Sequence, residues 1–415
     1  MSKKEPKDPE RLNDVPKGGS PFYPGQPVPV ELFTGRKEQI DRIMTRGAGQ
    51  VASGKPVAIF VQGEYGIGKS SVAKFTQYFA QKKYSLQPIY VPLGGASELS
   101  SMAEAILYAT IRTRPINQPG AEKIREVLSR YIEKIELFGV SVNIKALKND
   151  APALTTPFGM LDFLRNFLNE LEETGVKGIF LVLDEINGIA AIPQFAHFIK
   201  GLIDLNAVSS GEKPLPLLLM ICGVEERRRE MIRNHQPVER IFDVVEIGAM
   251  DRREIEEFFR QAFESVHMSI TDDSLELLVH FSAGFPKIMH LLGDAAYWLD
   301  KDGIIDKDDA LDAVFIAADE VGKKYVDQQV YRALRSESYH SIMTKIAKTN
   351  PTSMSFVRSD IASGLTEDEK NKFNNFLQRM KDLKVIKSGD VRGEWVFTSR
   401  MVRLYIWLQS IRKSS

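Results

Sequence analysis

Gly63-Glu64-Tyr65-Gly66-Ile67-Gly68-Lys69-Ser70 is a complete G-x-x-x-x-G-K-[ST] run. The chemistry such a run can do is phosphate binding. Glycines let the backbone curl so that successive N–H groups converge on one anion. The lysine can reach β- and γ-phosphates, and the hydroxyl after it is placed to ligate Mg²⁺. These eight residues, with Ser71 beside them, are the expected nucleotide site.

A second group that could do chemistry is Asp184-Glu185, which ends the apolar run Ile179-Phe180-Leu181-Val182-Leu183. A buried strand delivers such a pair to the C-terminal edge of a parallel sheet, the edge from which a phosphate loop leaves. Asp184 would then hold Mg²⁺ with Ser70, and Glu185 would polarise an attacking water. Two acids after a strand can also cap a helix, but the phosphate loop upstream favours the catalytic reading.

The elements that position these groups follow from the apolar pattern. Residues 57–61, just before the loop, read as a buried parallel strand, and 70–81 as the helix whose positive N-terminal end faces the phosphates. Further strands are expected at 88–91, 178–183, 215–221 and 244–247, alternating with amphipathic helices in an α/β pattern. Between the second and third strands lies an insertion: a helix at 121–134, an alternating strand at 140–144 and a loop at 148–157. The expected organisation is a disordered proline-rich tail at 1–30, with order beginning at Leu32-Phe33, a nucleotide-binding core at 31–250, a helical lid at 251–325, and a C-terminal unit at 326–415. That last unit reads as three helices followed by two short strands around Gly389–Gly393, a helix-turn-helix carrying a β-wing.

Composition narrows the class. With 415 residues, 43% hydrophobic and 27% charged, the chain fits a soluble protein of two or three domains. No apolar run approaches the roughly 18 residues that span a bilayer, and the start has no hydrophobic signal, so the expectation is a cytoplasmic protein with no membrane partner. Cys222 is the only cysteine, which excludes a disulfide framework and a cysteine zinc site. The chain is neutral overall, yet residues 331–415 hold sixteen Lys/Arg against eight Asp/Glu, a net of +8. A basic unit on an acidic body points to a polyanion partner for that unit, or to internal charge balance.

Leu32-Phe33-Thr34-Gly35-Arg36-Lys37-Glu38 resembles the F-x-G-R-x-x-E box that precedes the first strand in AAA+ ATPases of the initiator (origin-recognition) clade and in the related STAND ATPases. The resemblance implies a P-loop parallel-sheet core with a helical lid and a C-terminal winged helix, ATP and Mg²⁺ as cofactors, and ATP hydrolysis. It implies that Arg36 lies near the adenine or an adjacent acid. After the fourth strand, where such proteins place a polar γ-phosphate sensor, this chain has Cys222-Gly223 and departs from the pattern. Arg240, before the fifth strand, stands where an arginine finger would complete a neighbouring subunit's site; its alternative is a surface pair with Glu239 or Asp243. Gly284-Phe285-Pro286-Lys287 resembles the lid's G-x-P signature, and Lys287 there could reach the γ-phosphate, without the planar fork of arginine.

In the helix expected at 367–383, Phe373, Phe376, Leu377, Met380 and Leu383 form the buried stripe. The other face carries Lys370, Asn371, Asn374, Asn375, Gln378, Arg379 and Lys381, side chains that suit base edges and phosphates in a major groove. Lys387 and Arg392 on the wing would add phosphate contacts. Two functions are therefore open: an ATPase switch acting on double-stranded DNA, or a STAND-like signalling ATPase that forms a homo-oligomer with ATP and relays to a protein partner.

Overall fold

The computed structural model describes residues 18–26, 28–113, 153–208, 213–323, 334, 336–348, 353–389 and 391–412. The helix expected at 121–134, the strand at 140–144 and the first part of the loop at 148–157 lie outside the described residues. The chain divides into two compact units: residues 25–250 together with Phe285–Lys287, and a second containing the segment up to Pro24, Asp251–Gly284 and Ile288–Ser415.

The first unit is built on strands β1 (Val57–Gln62), β2 (Leu86–Pro92), β3 (Gly178–Asp184), β4 (Leu217–Gly223) and β5 (Asp243–Glu246). They form one parallel sheet in the order β2-β3-β4-β1-β5. Side chains alternate between two apolar clusters. Phe60, Leu181, Leu219 and Ile221 face one side, and Ile59, Val61, Phe180, Val182, Leu218 and Met220 the other. Both faces are covered, which is why these strands are nearly unbroken apolar runs. Short helix α1 (Lys37–Arg42) leads into the fold, and α2 (Lys69–Tyr84) buries Val72, Ala73 and Ala80 on one face. Helices α3 (Leu99–Arg112), α4 (Pro157–Leu171), α5 (Pro193–Val208) and α6 (Glu225–Asn234) cover the other. Because β4 is inserted between β1 and β3, the phosphate loop and the acid pair leave the same sheet edge one strand apart.

In the second unit α7 (Arg252–Glu264) starts at a capping box in which Asp251 and Glu254 satisfy each other's backbone N–H groups. Helices α8 (Asp272–Ser282), α9 (Pro286–Leu299) and α10 (Lys307–Val321) follow, with the two-residue strands β6 (Ser269–Ile270) and β7 (Ile304–Ile305) paired between them. Residues 1–17 of the tail expected at 1–30 lie outside the described residues. Within the described part, Phe22 is an apolar anchor, 4% exposed, set edge-on to Phe258 and Phe263. Tyr23 donates its N–H to His290 Nδ1 at 3.1 Å, and Tyr297 donates its hydroxyl to the Gly18 carbonyl at 2.8 Å. Proline content had outweighed that one aromatic side chain.

The C-terminal part holds α11 (Glu337–Ala347), α12 (Arg358–Ser363), α13 (Glu367–Asp382) and α14 (Arg400–Arg412). The two strands expected there, β9 (Ile386–Ser388) and β10 (Glu394–Phe397), are joined by a third, β8 (Ser355–Val357), in the antiparallel order β8-β10-β9. Three residues are too few to show a period in the sequence. Among the described residues no helix is long and apolar enough to cross a membrane.

Candidate active site

The phosphate loop depends on its glycines. Gly66 and Gly68 have φ of +78° and +99°, and a Cβ on Gly63 would lie 2.5 Å from the Ile247 carbonyl oxygen. Lys69, the first residue of α2, donates from Nζ to the carbonyls of Gly63 at 2.9 Å and Glu64 at 2.8 Å. Burial lowers its pKa from the ordinary lysine value, and nearby acidic groups including Asp184 and Glu185 oppose that shift. A partly desolvated cation inside a ring of backbone groups is suited to an anion. Ile67 anchors the loop in the core, and the Arg36 guanidinium donates to its carbonyl at 3.3 Å. Arg36 is buried and left-handed, with φ of +62°, so it buttresses the loop from below. Val28 donates its N–H to the Ser71 hydroxyl at 3.4 Å, tying the preceding chain to the start of α2. Tyr65 is exposed.

Asp184 is 2% exposed at the end of β3. Its Oδ1 accepts the Glu185 N–H at 2.8 Å, and its Oδ2 accepts the Tyr90 hydroxyl in a short hydrogen bond. Burial and the adjacent Asp184 raise the Tyr90 phenol's pKa, and the Ser70 hydroxyl opposes that rise. Tyr90 thus holds one of the two expected metal-binding residues, Asp184. It escaped the sequence reading because one tyrosine in an apolar strand carries no motif. Among the described residues no group of three or more His, Cys, Asp or Glu could hold a metal. A hydroxyl and one carboxylate are nevertheless the hard oxygen donors that Mg²⁺ takes when water and phosphate complete its shell. Glu185 is exposed, has φ of +58°, and directs its carboxylate across Gly94, where a Cβ would come within 2.5 Å of Oε2.

At the end of β4 the Cys222 thiol is fully buried, and burial followed by Asp184 pushes its pKa well above the ordinary value. A Cβ on Gly223 would sit 3.1 Å from Ile186 Cγ1. Packing leaves little room there for a polar sensor side chain. Arg240 is exposed on a 3-10 turn and makes no ion pair among the described residues; Asp243 is paired instead with Arg42. Lys287 donates its backbone N–H to the Gly66 carbonyl at 3.2 Å, and its side-chain stem packs close to the same glycine.

On α13, Phe373, Phe376, Leu377 and Met380 are buried, whereas Lys370, Asn371, Asn374, Asn375, Gln378, Arg379 and Lys381 are exposed. Lys370 pairs with Glu367 at 2.7 Å and Gln378 donates to Asp382 at 2.9 Å. A groove of about 470 Å³ runs between this face and the β9–β10 turn, lined by Asn374, Gln378, Arg392 and by Arg358 and Trp395. The last two were missed from sequence, since only β8 and the sheet register place them beside α13.

This strand order, with a phosphate loop after β1 and an acid pair after β3, makes a parallel P-loop fold. Two solved structures carry the likeness. The Aeropyrum pernix ORC2 protein in its ADPNP–ADP complexes has a TM-score of 0.58 at 14% identity, over 95% of this chain and 96% of that one. A Walker-type ATPase of Pyrococcus abyssi has a TM-score of 0.53 at 15% identity, over 90% and 96%. No protein-family model matches the chain, and no curated protein matches it in sequence.

Proposed function

We propose that the protein binds ATP with Mg²⁺ and hydrolyses it slowly, and that the nucleotide state governs how its C-terminal winged helix engages double-stranded DNA. The observation that carries the ATPase reading is the gathering of Lys69, Ser70, Asp184 and Glu185 at one sheet edge, with Tyr90 hydrogen-bonded to Asp184. The bound magnesium triphosphate supplies the anhydride that is cleaved. Lys69 exchanges its two neutral carbonyl acceptors for phosphate oxygens, so that an ion pair replaces bonds from the ammonium to uncharged groups. Ser70 and Asp184 furnish metal donors. Glu185 accepts a hydrogen bond from the attacking water and holds its proton at the carboxylate. The fold of the Aeropyrum pernix protein solved with ADPNP and ADP supports this reading.

For the C-terminal unit, the net charge of +8 and the exposed amides Asn371, Asn374 and Asn375 on α13 favour nucleic acid. The exposure of Arg240, which makes no ion pair among the described residues, supports a second element, a homo-oligomer in which this residue reaches a neighbour's phosphates. Mobility shift of duplex DNA with and without ATP is the test. Binding that weakens with salt and is lost in Lys381→Glu/Arg392→Glu supports the DNA reading. ATP-dependent self-assembly with no DNA binding would favour the STAND-like signalling alternative.

A further inference from the structure

We propose that Arg228 reads the terminal phosphate of a bound nucleoside triphosphate from within the same chain, replacing the polar side chain missing at the end of β4. This rests on the nucleotide reading above and deepens it, because it names the group that would tell a triphosphate from a diphosphate.

The argument begins with three consecutive arginines on α6. Arg227 Nη1 is paired with Glu230 Oε2 at 2.6 Å, and Arg229 Nη2 with Glu225 Oε1 at 2.8 Å. Both charges are balanced by acids on their own helix. Arg228 is different. It makes no ion pair among the described residues, and its Nε donates to the Gln62 amide oxygen at 2.9 Å.

Gln62 is the last residue of β1 and immediately precedes Gly63 of the phosphate loop. Its carbonyl accepts the Ile247 N–H at 2.8 Å, so the strand end that holds Arg228 is itself fixed. The parallel register of β1 and β4 sets Gln62 directly beside Gly223, where Ile186 and Phe60 crowd any added side chain. Arg228, five residues beyond Gly223, therefore brings a guanidinium to the end of β1 beside the phosphate loop. Lys69 Nζ holds the carbonyls of Gly63 and Glu64, so two cations attach to three consecutive residues at the mouth of the loop.

A neutral amide holds a guanidinium more weakly than a carboxylate does. The amide positions Arg228 while leaving its charge available. Phosphate is the anion whose geometry suits the guanidinium fork, and only a triphosphate extends beyond the β-phosphate that the loop itself cradles.

The test is equilibrium binding of ADP and of a non-hydrolysable ATP analogue, each with Mg²⁺, to the full chain. Wild type, Arg228→Gln, Arg228→Ala and Gln62→Glu would be compared. Both Arg228 variants are expected to lose about tenfold or more in affinity for the analogue while ADP affinity changes less than about twofold. Gln62→Glu, which turns the amide tether into an ion pair, should lower the preference for the analogue in the same direction. Unchanged discrimination in the Arg228 variants, or equal losses for both nucleotides, overturns the assignment while leaving the nucleotide site intact. A wild type that binds neither nucleotide overturns the nucleotide reading itself, and this inference with it.

Discussion

Lys287 gives its backbone N–H to the carbonyl of Gly66, and the contact is close: a Cβ on Gly66 would lie 3.0 Å from both Cβ and Cδ of Lys287. The loop's middle glycine is thus constrained twice, by a φ of +78° and by the neighbouring side chain. Gly66→Ala adds left-handed strain of about 1 kcal/mol together with that collision. Triphosphate affinity should fall at least about tenfold while the unfolding midpoint of the whole chain moves little. Titration of a fluorescent ATP analogue checks it, and normal affinity in the variant would remove this contact from the loop's function.

Lys69→Ala deletes the one side chain that bridges the loop carbonyls, so binding of ATP should be lost over the accessible concentration range. Glu185→Gln keeps the shape of the acid and removes its basicity. ATP should still bind, and turnover should fall by roughly 10²–10⁴-fold, the usual contribution of a general base. Phosphate release measured under saturating ATP decides this. A Glu185→Gln protein with the wild-type rate would take that residue out of the mechanism.

The carboxylate of Glu185 also has a neighbour whose small size matters. Gly94→Ala would push a methyl to within 2.5 Å of Glu185 Oε2. Since Glu185 is exposed and its far end can shift, the variant should fold normally while its turnover drops by about tenfold through misplacement of the base. Calorimetric binding beside the steady-state rate separates the two effects.

Phe22 fills the space above Gly293, whose Cβ would lie 2.2 Å from the ring. Phe22→Ala empties a buried aromatic site and is expected to cost about 3 kcal/mol of stability in the second unit. Gly293→Ala should displace the same ring and destabilise in the same direction. Urea unfolding followed by Trp fluorescence reports on both, and a change below about 0.5 kcal/mol in either would mean the segment is not held there.

His290 provides a pH handle on the same contact. Burial lowers its pKa from the ordinary 6.5 to about 4, and its Nδ1 must stay unprotonated to accept the Tyr23 N–H. The stabilisation is fully present above pH 6.5. As pH falls from there toward 4, the unfolded chain takes up a proton that the folded chain refuses, and stability drops by up to about 3 kcal/mol. Unfolding free energies between pH 4 and 7 should show this slope in wild type and a shallower one in His290→Gln.

Residue order alone carried the phosphate loop, the acid pair and the five strand runs, because each is a local signal: a fixed spacing of glycines, or an apolar stretch ending in charge. Leu86–Pro92 and Leu217–Gly223 fall within two residues of where their hydrophobicity placed them. Relations across the sheet were not legible in this way. Tyr90 reaches Asp184 only because β2 lies beside β3, and Arg228 reaches Gln62 only because β4 pairs with β1. Phe22 becomes an anchor through rings more than two hundred residues away, and β8 is a strand only because β10 pairs with it. Spacing along a chain encodes what neighbouring residues do together. The company that distant residues keep depends on strand order and register, which the free energy of the whole fold selects.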